Sequence, residues 1–264
     1  MLNLILLKLF ISIGMVVALA EISERVNPLL SGILSGLPLG IGITVYFISL
    51  EKGISFVIKG IPWGIAGLAA TIILCVAYLW VSLKIRNRLL SIILASVSGI
   101  ALFLLAGVFL AKLRLNLLIS LAIFLVVFFC GIVFVNRLAI NERNFAQTKN
   151  NLRKMALRGV LAGAIIILIT GSASLIGNKW SGVLSAFPST LYPLVLILHV
   201  EKGIKTFPII VKGFLYSVTT LAVFYLACLI LLPLLGLNLG FLVVYLTCFL
   251  YLAVFTMLRI KDTK

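Results

Sequence analysis

Ser31, Ser35 and Pro38 stand at i, i+4 and i+7, and Ser181, Ser185 and Pro188 repeat that spacing. On a helix this gathers three residues on one face. Proline removes a backbone donor and crowds the carbonyl one turn back, so it kinks or opens the helix. Nearby serine hydroxyls can satisfy the freed carbonyls, or join them in offering a solute a polar surface. Gly32 with Gly36, and Gly182 with Ala186, form small-xxx-small pairs on the adjoining face, which allow close backbone approach. Two readings follow: a binding site made of opened backbone, and tight helix packing around a tolerated kink.

Six further residues could hold or move charge: Glu21, Glu24, Arg25, Glu51, His199 and Glu201. Glu21, Glu24 and Arg25 could gate a cavity or bind a cation, and they equally suit a solvated helix end. Glu51 and Glu201 each precede Lys and Gly, which fits a helix end with a glycine cap. Glu201 lies two residues from His199, the only histidine, so the pair could couple a proton or serve interfacial hydrogen bonding. Enzyme chemistry is not expected. The only aspartate is Asp262, in the C-terminal tail, and a single histidine leaves no Ser-His-Asp set and no HExxH. Cys75, Cys130, Cys228 and Cys248 lie singly in apolar runs, so neither a disulfide framework nor a metal site is expected, and no cofactor. Nucleic-acid motifs are absent, and nucleic acid is not an expected partner.

What must position these residues is a bilayer. Of 264 residues, 63% are hydrophobic and 11% charged; soluble domains are about half apolar and about a quarter charged. A hydrocarbon core of about 30 Å needs roughly 20 apolar residues per helix. The runs predict an all-α integral membrane protein of about nine transmembrane helices, over 2–20, 29–50, 61–83, 89–111, 115–136, 157–177, 180–200, 208–232 and 236–258. Ala18-Leu19-Ala20 mimics a signal-peptide cleavage site. No basic residue precedes Lys8, however, and the apolar run is long enough to span, so an uncleaved helix is expected. Lys and Arg total 22 against 6 acidic residues, spread over loops without a long run. With the N-terminus outside, 16 of the 22 fall in cytoplasmic loops and 6 outside. The opposite orientation inverts the ratio, so the charges predict an outside N-terminus and a cytoplasmic C-terminus in the cytoplasmic membrane of a prokaryote.

The chain also repeats itself. Residues 31–38 read SGILSGLP and 181–188 read SGVLSAFP, identical at five of eight positions. At the same offset of 150, Glu51-Lys52-Gly53-Ile54 matches Glu201-Lys202-Gly203-Ile204. Lys59-Gly60 and Cys75 match Lys212-Gly213 and Cys228 at offset 153, so the second copy carries a small insertion. The predicted division is a four-helix repeat over 1–112, a connector helix and polar loop over 113–156, and a second four-helix repeat over 157–264. Five crossings separate the starts of the copies, an odd number, so the copies should face opposite ways. From each proline to its glutamate is 13 residues. That is about 20 Å of helix, which puts both prolines near mid-bilayer if the glutamates mark the surface.

The second half, Gly159 to Ile260, resembles the GlpM-like small bacterial inner-membrane proteins. It shares a small-residue first helix, a phrase like Ser181–Pro188, and an apolar run ending in Glu201-Lys202-Gly203. The first half fits the same outline through Gly32, Pro38 and Glu51-Lys52-Gly53. The resemblance implies a fused duplication of such a four-helix unit and supplies no activity or site residues. The leading functional expectation is a transporter or flippase-like protein for an unidentified small solute or lipid, working by alternating access in the bilayer, with a second copy in a homodimer as a further partner. The alternative is a non-transporting scaffold or envelope assembly factor. A polar cavity reaching Ser31 and Ser181 would favour the first, and a dry packed centre the second.

Overall fold

The computed structural model describes residues 28–138 and 152–261, together with 10, 11, 13 and 14. Glu21, Glu24, Arg25 and most of the expected span 2–20 lie outside the described residues. Ten α-helices and one short 3-10 turn make up nearly all of what is described, with no strand among these residues. They are α1 Pro28–Leu34, α2 Leu39–Lys52, α3 Ile54–Lys84, α4 Arg88–Lys112 and α5 Leu117–Arg137. After the polar connection come α6 Leu152–Ser185, α7 Leu191–Lys202, the 3-10 turn Gly203–Lys205, α8 Phe207–Ser217, α9 Thr219–Leu235 and α10 Leu237–Lys261.

Local chemistry sets the ends. Asn87 and Asn116 cap α4 and α5, their side-chain oxygens accepting from the Leu90 and Ile119 amides at 3.1 and 2.9 Å. Gly53 and Gly203 end α2 and α7 at φ 86° and 59°, where a side chain would clash with the backbone. Gly177, at φ 74° and ψ 175°, breaks α6 into a long first part and a short second part.

Six apolar stretches are long enough to cross a membrane: Leu29–Lys52, Ile54–Lys84, Arg88–Lys112, Leu117–Arg137, Phe207–Leu235 and Leu237–Met257. This is the architecture of a multi-pass membrane protein, and the expected count of about nine helices fits it. The expected span 61–83 begins seven residues early, at Ile54. Lys59 and Gly53 interrupt the apolar count, but a polar helix end beyond the hydrocarbon costs little. The span 157–177 is the first part of α6, and 180–200 is divided between the end of α6 and α7.

The longest unbroken helix, α3, is the hub and packs against α2, α4, α5, α6 and α9. Its interior line includes Gly60, Gly64, Gly67 and Ala70, small residues that bring neighbouring backbones close. On α4 the buried residues are Ser91, Ala95, Gly99, Phe103, Gly107 and Leu110, a single stripe with helical spacing. The rest of its surface, including Leu105 and Phe109, is exposed and apolar, as lipid requires. One residue of the first span joins the core as well. Ile11 packs with Ile43, Phe47 and Ile166, between α2 and α6.

Candidate functional site

Each serine–proline phrase opens its helix, and both open in the same way. In the first, Gly36 N–H donates to Ile33 O, Leu37 to Leu34, Leu39 to Leu37 and Gly42 to Pro38. In the second, Ala186 donates to Val183, Phe187 to Leu184, Ser189 to Phe187 and Tyr192 to Pro188. The two sets are the same four bonds shifted by 150 residues. The tightened turns satisfy the backbone groups that proline would otherwise orphan.

The two breaks touch. A Cβ on Gly40 would meet the Ser189 hydroxyl and the Thr190 side chain. Thr190 is the counterpart of Gly40 at offset 150, so the contact joins equivalent positions. Each break also lies about half way along the other half's long helix. The Ala186 carbonyl accepts from Thr71 Oγ1 at 2.5 Å, and Thr71 is near the middle of α3. Gly36 lies on Ser217, and the Pro38 carbonyl accepts from Tyr245 Oη at 3.3 Å.

The glycines make reciprocal seams. A Cβ on Gly32 would run into the Ile210 carbonyl and Gly213, and one on Gly213 into the Leu29 carbonyl and Gly32. Gly182 meets the Gly60 carbonyl, and Gly60 meets the Asn178 carbonyl. The short helix before each break therefore lies backbone to backbone on the helix that follows the other half's Glu-Lys-Gly turn.

Of the sequence-predicted serines, Ser31, Ser35, Ser181 and Ser185 are all buried. Their hydroxyls bond locally. Ser35 Oγ donates to Ser31 O at 2.9 Å, Ser181 Oγ to Gly177 O at 2.7 Å and Ser185 Oγ to Gly182 O at 2.7 Å. Ser185 also pairs with Tyr225 Oη at 2.7 Å, a partner that nothing in the sequence pattern pointed to. The cleft reaching Ser181, Ser185 and Tyr225 has a volume of only about 20 Å³, about enough for one water molecule. Ser189, which the sequence reading passed over, is buried at the crossing with its hydroxyl unpartnered.

The gating candidates divide. Glu51 is exposed on the first turn. His199 is buried and clamped through both ring nitrogens: Nδ1 faces Tyr78 Oη at 2.9 Å and Nε2 faces Ser91 Oγ at 3.4 Å. Its ring lies 4.5 Å from that of Phe207, and its carbonyl accepts from Arg88 Nε at 3.0 Å. Glu201, half-buried, lines a pocket of about 750 Å³ with Arg86, Arg88, Lys202, Lys205 and Thr206. This pocket lies where α3 ends and α4 begins, whereas Gly53 lies at the start of α3. The two Glu-Lys-Gly turns are therefore at opposite ends of a 31-residue helix, about 45 Å apart along its axis.

No family model matches the chain, and no curated protein or solved structure matches it.

Proposed function

We propose that this chain is a transporter or flippase-like membrane protein made of two inverted copies of one four-helix unit of the GlpM-like kind, with α5 as connector. The observation that carries the reading is the contact of the two breaks at equivalent positions, Gly40 against Thr190. Broken helices that meet half way along inverted repeats are the usual place for a transporter's solute site and pivot. The glycine seams suit this role, because surfaces of bare backbone can slide without rotamer changes. Ser189 supplies an unpartnered hydroxyl at the crossing, where a solute would find it. The opposite placement of the Glu-Lys-Gly turns supports the inversion. In this reading, with the orientation the charge count favours, Gly53 is outside and Gly203 cytoplasmic.

Reconstitution tests both parts. In a background lacking the four cysteines, Glu51→Cys and Lys205→Cys should be labelled by an impermeant thiol reagent from opposite faces of the membrane. Labelling from one face would end the inverted-repeat reading. In a thermal-shift and uptake panel, a transported solute should raise the melting temperature of the parent, and Ser185→Ala and Pro38→Ala should weaken the shift.

One observation favours the second reading, a non-transporting scaffold or assembly factor. Ser35, Ser181 and Ser185 are satisfied by their own backbone, and the cleft beside Ser181 and Ser185 is small, about 20 Å³, and mostly apolar. Thiol access separates the readings. Ser35→Cys and Ser185→Cys react over minutes if the centre opens to water during a cycle. They stay protected in a scaffold, and lasting protection would overturn transport.

A further inference from the structure

The turn after α7 does not resume its helix at once. In the first half α3 starts directly after Gly53, at Ile54; in the second, α8 starts at Phe207, three residues later than the match predicts. Ile204, Lys205 and Thr206 stand ahead of the helix there. They line the same concavity as Arg86, from the loop between α3 and α4, and Arg88, at the start of α4. Four cationic side chains, Arg86, Arg88, Lys202 and Lys205, face one carboxylate, Glu201.

The donors are held but not consumed. Arg88 uses Nε on the His199 carbonyl, the oxygen that also takes the Gly203 amide. Its two terminal amino groups, with Arg86 and Lys205, have no protein partner among the described residues. Thr206 is 4% exposed and lines the pocket, and its Oγ1 has no hydrogen bond. A buried hydroxyl left unpaired is costly, and a ligand oxygen would remove that cost. The depth is right for a headgroup. On the last turns of α3, Trp80 is 44% exposed with Lys84 Nζ 3.6 Å over its ring, the amphipathic pairing found at membrane–water interfaces.

We propose that this pocket binds a phosphate group, carried either on the headgroup of an anionic lipid or on a small phosphorylated solute. Two guanidinium forks, a lysine and a hydroxyl ask for several acceptor oxygens on one centre, which phosphate provides and a single carboxylate does not. Basic pockets between helices on the cytoplasmic side bind such headgroups. The site does not depend on whether the chain transports anything.

The test uses the full chain in neutral detergent, titrated with mixed micelles of phosphatidylglycerol, with phosphatidylcholine as control, and separately with inorganic phosphate. The parent should bind at least one phosphate probe. Arg86→Gln combined with Lys205→Gln should weaken that binding about tenfold or more, and Thr206→Val a few-fold. Lys59→Gln, at the other end of α3, should change nothing. Arg86 and Lys205 are exposed, so these variants keep the fold; unchanged melting temperatures check this. Preference for phosphatidylglycerol assigns a lipid headgroup, and preference for inorganic phosphate a soluble ligand. Binding of neither probe, or equal weakening by Lys59→Gln, overturns the proposal.

Discussion

Residues 31–54 and 181–207 share a phrase, a break and a Glu-Lys-Gly turn, yet the first turn is an exposed cap and the second is a wall of the basic pocket. Two local changes account for the divergence. Position 49 is a serine whose hydroxyl bonds its own helix, to Val45 O at 2.8 Å. Its counterpart, His199, reaches across to Tyr78 and Ser91 and fixes α7 to α3 and α4. The second change is the three-residue insertion after the turn, which delays the start of the next helix to Phe207. The crossing stays symmetric because each break packs on the other and on the other's glycine seam. A change in one break alone would spoil a surface used by both. The ends touch nothing of their counterparts and were free to differ.

The strongest way to break this comparison is at the seams. Gly32→Leu and Gly182→Leu each drive a side chain into a carbonyl and a neighbouring glycine, where no rotamer relieves the overlap. Each should cost about 3 kcal/mol or more, read as loss of the monodisperse folded species and a lowered melting temperature. The two losses should agree within about 1 kcal/mol. Gly53→Ala calibrates them. It meets open space at φ 86° and should cost only about 1 kcal/mol. If Gly182→Leu proves harmless while Gly32→Leu does not, the seams are not equivalent.

The ends should respond unequally. His199→Ala leaves the hydroxyl of Tyr78, a residue only 1% exposed, without its His199 partner and opens a gap beside Phe207. A loss of about 2 to 3 kcal/mol is expected. Ser49→Ala removes one bond within a helix, worth about 0.6 kcal/mol in a membrane protein. Thermal melts of both variants in one detergent measure the difference, and equal losses would mean that His199 is no cross-helix clamp.

Much of this frame was legible in the residues. Helices are local, and apolar runs separated by polar turns give their approximate number; the offset of 150 pointed to the equivalent breaks, and the step to 153 to an insertion between Ile204 and Lys212. Small residues at matching positions marked the seams, because only close backbone approach needs them. The helix start at Ile54 was missed because hydropathy reports the hydrocarbon width and not where the backbone stops bonding. The pairings Arg88–His199, Ser185–Tyr225 and Thr71–Ala186 join residues 111, 40 and 115 positions apart. No periodicity encodes such distances. A hydroxyl inside an apolar run, as at Thr71, Tyr225 and Tyr245, was the available hint, since such a group must find a partner.

The finest distinction lies in how each break is pinned. Thr71 Oγ1 bonds the Ala186 carbonyl at 2.5 Å, while Tyr245 Oη reaches the Pro38 carbonyl at 3.3 Å. The Pro38 oxygen also accepts the Gly42 amide at 2.6 Å, so it stays satisfied when the phenol is removed. Thr71→Val should therefore cost about 1 kcal/mol and Tyr245→Phe no more than about half of that. The two melts, compared with the parent, measure the pair. Equal costs would mean that both breaks are held with the same stiffness. A larger cost for Tyr245→Phe would reverse this order and make the first break the more firmly pinned of the two.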